Sequence, residues 1–416
     1  MRILLTFLSI ASTAWASERH LNAINYDGKP DTPVEALRDM ELEWDRRHGY
    51  LPAVLKALDI DVSSQVLVFS KTSLQFRLIS PRTPRVIYFN DRVYVGTIPG
   101  APVLEFIAHD AERGAIFYTL SQNPKKAELV RNRDECFDCH AGSRTRGLPG
   151  HVLRSVYPDH DGQPLLSEGT FLVKDETLIP KRWGGWYVTG NHGDLMHMGN
   201  TIASRDEQTL HFAPKEHMNV SSLKGYFNTS RYLSDESDIV ALSVLGHQAE
   251  MHNLICRASA ETKLALADQA RMDDLLDRAR DGMSESTRSR INRVANQLLD
   301  YLLFCDEAPL HEAISGGAFT AEFTKRGPRD SEGRSLRDLA LKDTLFEYPC
   351  SYLIYTPDFV ALPDPVRSLV YQRLWEVLTG EDDSDRYLHI TRRKSRAIIN
   401  ILRETHSDLP KYWHEG

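Results

Sequence analysis

The chain has 416 residues, 41% of them hydrophobic and 26% charged, which provides apolar material for two or three ordinary domains and excludes a disordered or fibrous chain. Its 50 Lys and Arg stand against 58 Asp and Glu, a net charge of −8. No basic face stands out along the chain, so nucleic acid is not an expected partner.

Met1-Arg2 opens a short positive start, residues 3–11 are a nearly unbroken apolar run, and Ala14-Trp15-Ala16 places small residues where a signal peptidase cleaves. Residues 1–16 therefore read as a secretory signal peptide. The apolar run is too short for a bilayer-spanning anchor, and no later stretch is long and apolar enough to span. The expected location is the periplasm or another exported compartment.

Helical spacing of Val34, Leu37, Met40, Leu42 and Trp44, then of Val54, Leu55 and Leu58, predicts an N-terminal helical segment over 17–60. From 61 the pattern changes to β-branched and aromatic runs at 65–69, 85–89, 92–95, 103–107 and 115–120. Asn90-Asp91 marks a tight turn, and residues 110–114 mark a hairpin. Short strands are expected around 152–157, 169–173 and 186–189. Ser234-x-x-Ser237 is expected to start a long helix, with later helices around 291–303, 366–377 and 398–402. The fold class is thus α+β: an antiparallel β-rich N-terminal half over 61–230, leading into and containing the motif described next, and a mainly α-helical C-terminal half over 231–416.

Cys136-Phe137-Asp138-Cys139-His140 is a C-x-x-C-H. In this motif two thiols add across the vinyl groups of one haem, and the adjacent His becomes the proximal iron ligand. By this composition chance would supply on the order of 0.002 such motifs. A thioredoxin-like C-x-x-C would need a βαβ setting that the flanks lack. A zinc ribbon would need a second ligand pair, whereas Cys256, Cys305 and Cys350 are scattered singly. A plain disulfide would leave His140 without a role. The expected cofactor is therefore one covalent haem c on Cys136 and Cys139. The other three cysteines are either one pair and a free thiol or three buried thiols.

The segment 183–200 concentrates Trp183, Trp186, His192, Met196, His197 and Met198 among glycines, and is the expected haem pocket outside the motif. Met198 is the first candidate for the distal iron ligand, with His197, His192, Met196 and Met251 as rivals. If the protein is an enzyme, His192 or His197 is the expected acid/base. Arg144, Arg146 and Arg154 are candidates for the haem propionates or else solvated surface charges. His247 and Met251 share a helix face, to line the pocket or to pack in the core. His247 and His252, five apart, do not readily share a metal. Asp159-His160-Asp161-Gly162 reads as a turn.

On residues 136–142, 183–190, 197–200, 247–253 and 348–355 the chain resembles a family of exported bacterial cytochrome c-type proteins with a single C-x-x-C-H. The resemblance implies a haem c protein and supplies no substrate. Two readings follow: an electron carrier or haem-bearing redox subunit with a redox partner protein, and a peroxidase-like oxidoreductase with an open sixth position. A haem-based sensor or binding module is a third. A bare carrier needs only about 100 residues, so the remaining chain argues for a partner surface, a substrate site or both.

Overall fold

The computed structural model describes residues 18–73, 75–206, 209–279 and 281–415; the expected signal peptide lies outside the described residues. Its centre is an antiparallel sheet built from β1 (Val66–Val68), β2 (Arg85–Phe89), β3 (Val93–Thr97), β4 (Val103–Asp110), β5 (Gly114–Ser121), β6 (Leu129–Asn132) and β9 (Trp186–Tyr187), in the spatial order β6-β5-β4-β3-β2-β1-β9. Two small ribbons lie outside it, β7 (Arg154–Val156) with β8 (Thr170–Leu172) and β10 (Ser204–Asp206) with β11 (Thr209–His211).

The predicted turns close this sheet. Asn90 Oδ1 accepts from the amides of Arg92 and Val93 at 3.0 and 2.9 Å, which turns β2 into β3. Asp110 pairs with Gly114 across the β4–β5 hairpin, and Gly114 has φ +74°, open to glycine without strain. Side chains alternate between the two faces of each strand. Val86, Tyr88, Val93, Val95, Leu104, Phe106, Ile116 and Tyr118 enter one core with the N-terminal segment, including Val34, Leu37, Leu51 and Val54. That segment is only partly helical: a helical stretch over 18–23, a 3-10 turn at Pro33–Arg38 and helix α1 (Leu51–Ala57).

The opposite face of the sheet meets the C-terminal half. Helix α3 (Ile239–Leu275) is buried on almost every side as far as Ala265, because sheet and helices surround it. Its N-cap is Asp238, whose carboxylate accepts from Val240 and Ala241 at 2.7 and 3.0 Å and contributes about 1 kcal/mol. Ser237, part of the expected start signal, instead ties two strands together: its hydroxyl donates to the Tyr187 carbonyl and accepts from the Leu67 amide. Helices α4 (Glu285–Leu302), α5 (Phe319–Lys325), α6 (Pro357–Val360), α7 (Asp364–Thr379) and α8 (Arg392–Thr405) complete this half. The architecture is α+β, with the antiparallel sheet in the N-terminal half and most helix in the C-terminal half, as the periodicity predicts. Among the described residues no helix is long and apolar enough to cross a membrane.

Candidate functional site

The C-x-x-C-H forms a short helix, α2 (Asp134–His140), beginning two residues after edge strand β6. Asp134 and Glu135 occupy its first turn, where negative charge suits the helix dipole. Phe137, between the two cysteines, packs on Tyr26 and Phe117 with ring centroids 5.1 and 6.1 Å away and fastens the helix to the sheet. Cys136, Cys139 and His140 border a cavity of about 350 Å³ on the sheet face opposite the N-terminal core. That volume lies in the range of cofactor pockets, roughly 300–1,000 Å³. The strands supply Ile87, Tyr94, Gly96, Glu105, Ile107 and Phe117, and the other wall includes Leu153, Arg154, Trp186 and Leu245.

The segment after α2 folds back on the motif. The Gly150 amide donates to the His140 carbonyl at 2.9 Å, and His140 Nδ1 lies 2.9 Å from the Gly150 carbonyl. A carbonyl only accepts, so Nδ1 carries the proton and Nε2 keeps its lone pair. Burial lowers the His140 pKa, which favours the neutral ring that binds metal. Burial, with Glu105 adding to it, pushes the Cys136 thiol up to about 11. Arg85 and Glu105 form an ion pair across the cavity floor at 2.5 Å. Gly96 permits this, since a Cβ there would collide with the Arg85 guanidinium.

His151 follows Gly150 and borders the same cavity. Asn253 of α3 clamps it: Oδ1 accepts from the His151 amide at 2.8 Å, and Nδ2 donates to its carbonyl at 3.0 Å. The His151 ring packs on Tyr94 with centroids 4.3 Å apart, and its Nε2 lies 2.7 Å from His109 Nε2. Beyond His109 lie Asp358 and His252, so one buried group joins β4, α3 and α6 to the cavity wall. Burial first, then His109 and His252, hold the His151 pKa well below its ordinary value. Desolvation raises the Asp358 carboxyl, but the two imidazoles outweigh it and hold the group below the usual carboxylate range.

The residues expected from sequence divide. Cys136, Cys139, His140, Arg154 and Trp186 border the cavity. Trp186 is anchored there by Nε1 donating to the Arg154 carbonyl at 2.7 Å. Arg144 and Arg146 are exposed; Arg144 borders a small separate hollow beside Glu250, and Arg146 an acidic one with Asp300 and Glu307. Trp183, at φ +65°, is buried with its ring edge-on to His197.

Met198 is buried away from the cavity lining, where its sulfur accepts from the Ser155 hydroxyl at 3.6 Å. The chain turns at Gly184 and Gly185, and a Cβ on Gly184 would lie 3.0 Å from Met198 Cε; the glycines approach β7 and this methionine. His192 and His197 hydrogen-bond each other, Nε2 to Nε2 at 3.2 Å. His192 Nε2 accepts from the Asn219 amide and His197 Nδ1 from the Gly199 amide, so both rings are engaged in holding this loop. Met251 is fully buried in the helical core. His247 is a core residue, with Nδ1 2.7 Å from Asp175 Oδ2, Nε2 2.7 Å from Ser351 Oγ, and its ring stacked on Phe304.

Cys256, Cys305 and Cys350 stand singly in separate surroundings. Residues 159–162 form the expected turn, closed by the Gly162 amide on the Asp159 carbonyl at 2.9 Å.

Sequence reasoning missed Tyr94, His109, His151 and Asp358, and gave His252 no role. An apolar strand ending in His109 and the second histidine of 247–252 were legible signals; Asp358 had none, because its partners lie far along the chain. No protein-family model, curated protein or solved structure matches this chain.

Proposed function

We propose that this protein is an exported single-haem c-type redox protein, with haem c held by Cys136 and Cys139 and with His140 as proximal ligand. The observation that carries the reading is the state of His140. It shares a cavity with both cysteines, and its Nδ1 donates to a backbone carbonyl, which fixes the tautomer and raises the basicity of Nε2. The cavity suits the group: Phe117, Ile107, Leu153 and Trp186 offer apolar surface, while Arg154 and Arg85 are the cations within reach for propionates. When bound, haem supplies one-electron chemistry. The chain supplies the fixed imidazole, an apolar enclosure that limits water, and charged groups that tune the potential.

The leading reading is electron transfer with a redox partner protein in the periplasm, the setting that the signal sequence and the family resemblance imply. One observation favours the second reading, a peroxidase-like oxidoreductase with an open sixth position. The cavity is bordered by the buried His151 and Tyr94, groups able to hold or move a proton, and by no methionine among the described residues.

The test is covalency. Protein from a host with a haem-attachment system should keep its colour through denaturation and acid-acetone extraction, and Cys136→Ala with Cys139→Ala should abolish this. Extractable haem, or none, in the wild type would refute the proposal. A high-spin iron that reacts rapidly with peroxide selects the enzyme reading; a six-coordinate, unreactive iron selects the carrier.

A further inference from the structure

We infer that His109, His252 and Asp358 form a binding site for one divalent first-row transition metal ion of the zinc or iron(II) class, separate from the proposed haem. The three side chains come from β4, α3 and α6 and are 1%, 1% and 4% exposed. One ligand atom from each lies within 4.8 Å of the others.

The hydrogen bonding around the group points to a ligand. His252 Nε2 lies 2.9 Å from the Asp91 carbonyl, which only accepts, so a neutral His252 ring carries its lone pair on Nδ1. His109 Nε2 lies against His151 Nε2, and in the tautomer that donates its proton there, His109 Nδ1 offers a lone pair to the same centre. Both Nδ1 atoms approach Asp358 Oδ2, at 3.0 and 3.4 Å. Neither makes a hydrogen bond in doing so, and Asp358 Oδ1 is also without a partner. Unsatisfied buried polar atoms cost about 1–3 kcal/mol each, so two imidazole nitrogens facing one buried carboxylate without aligned hydrogen bonds is an arrangement that a cation relieves.

The separations fit such a centre. Two donors each about 2.1 Å from an ion are separated by about 3.0 Å at a right angle and about 3.4 Å at the tetrahedral angle. Two imidazoles with one carboxylate select borderline ions such as zinc or iron(II) over calcium or magnesium, which take oxygen donors. The Asp91 carbonyl and His151 then act as outer partners that orient the ligating rings. In the present structure the His109 and His252 rings stack, with centroids 3.6 Å apart and planes 17° from parallel. Taking up an ion calls for turns of the two rings small enough that each Nδ1 lone pair faces it while Nε2 keeps its outer partner. Asp358 also borders a small hollow with Asp110 and Cys256. Through His109 and His151 the centre adjoins the large cavity.

The experiment uses the full haem-loaded chain, stripped with chelator and titrated with Zn²⁺ alone. One saturable Zn²⁺ per chain is expected, retained through gel filtration. Asp358→Asn and His252→Gln should each weaken binding by more than about 100-fold while the haem spectrum and circular dichroism stay unchanged. Co²⁺ K-edge absorption on the wild type needs no variant and should show two imidazole ligands. No saturable site in the wild type, equal binding in both folded variants, or a cobalt spectrum without imidazole overturns the assignment. If the haem reading fails, the same titration is read on the full chain without haem, where the losses in Asp358→Asn and His252→Gln still distinguish this site from Cys136 and Cys139.

Discussion

Asn253→Ala removes the clamp on the segment that carries the proposed proximal histidine and His151. In the wild type the Asn253 amide makes hydrogen bonds of 2.8 and 3.0 Å with the backbone of His151, and Nδ2 also donates to Glu250 at 3.1 Å. His151 is 5% exposed, so water does not readily replace these partners. Leaving a buried amide and a buried carbonyl unsatisfied costs about 1–3 kcal/mol each, and partial relaxation of the loop returns some of this. The expected loss is about 3 kcal/mol. At roughly 2 cal/mol/K of unfolding entropy per residue it lowers Tm by about 4 °C if the chain unfolds as one unit.

Gly150→Ala attacks the same clamp from the other side, because a Cβ on Gly150 would collide with Asn253 Oδ1. The two substitutions should therefore be non-additive: with Asn253 already truncated, Gly150→Ala should cost less by ~1 kcal/mol or more. Urea unfolding followed by far-UV circular dichroism, with the visible band of the proposed haem followed in parallel, measures all four proteins. With the proposed haem bound, the single variants should also broaden or shift its band, since His140 is held by the adjoining Gly150. Asn253→Ala within about 0.5 kcal/mol of wild type, or full additivity in the double variant, would refute the reasoning.

Met198→Leu should leave the ferric spectrum and the potential unchanged, because its sulfur is engaged by Ser155 outside the cavity lining; loss of a methionine charge-transfer band in this variant would show that Met198 ligates iron after all. His197 supplies an acid sensitivity. Burial, aided by His192, lowers its pKa to about 3, so the folded chain refuses a proton that the unfolded chain accepts below about 6.5. The stabilisation is full above that pH and falls by about 1.4 kcal/mol per unit as pH drops from 6.5 toward 3, or about 3 kcal/mol by pH 4.5. Urea unfolding between pH 7 and 4.5 should show a shallower pH slope for His197→Asn than for wild type, and equal slopes would remove His197 as the source.

The parts of this molecule legible in its sequence are those whose physics is local. Alternating apolar runs specified the sheet strands, turn residues such as Asn90 and Gly114 specified their connections, and helical spacing specified α4, α7 and α8. The short spacing within 136–140 is local in the same sense, and the structure brings Cys136, Cys139 and His140 to one cavity. Where a periodic signal was weak, the elements were lost: β6 is four residues long, and the helical form of 134–140 depends on Phe137 packing against Tyr26 and Phe117.

Which side chains meet the motif follows from tertiary structure instead. The aromatic, glycine-rich segment 183–200 has the composition of a ligand pocket, yet it sends Trp186 to the cavity and turns Met198, His192 and His197 into neighbouring loop packing. Composition records what a segment could touch, but the path of the backbone at Gly184 and Gly185 sets which way each side chain points. Tyr94, His109, His151, His252 and Asp358 come together only because α3 and α6 close over the sheet, bringing together residues whose separation along the chain carries no trace of their contact.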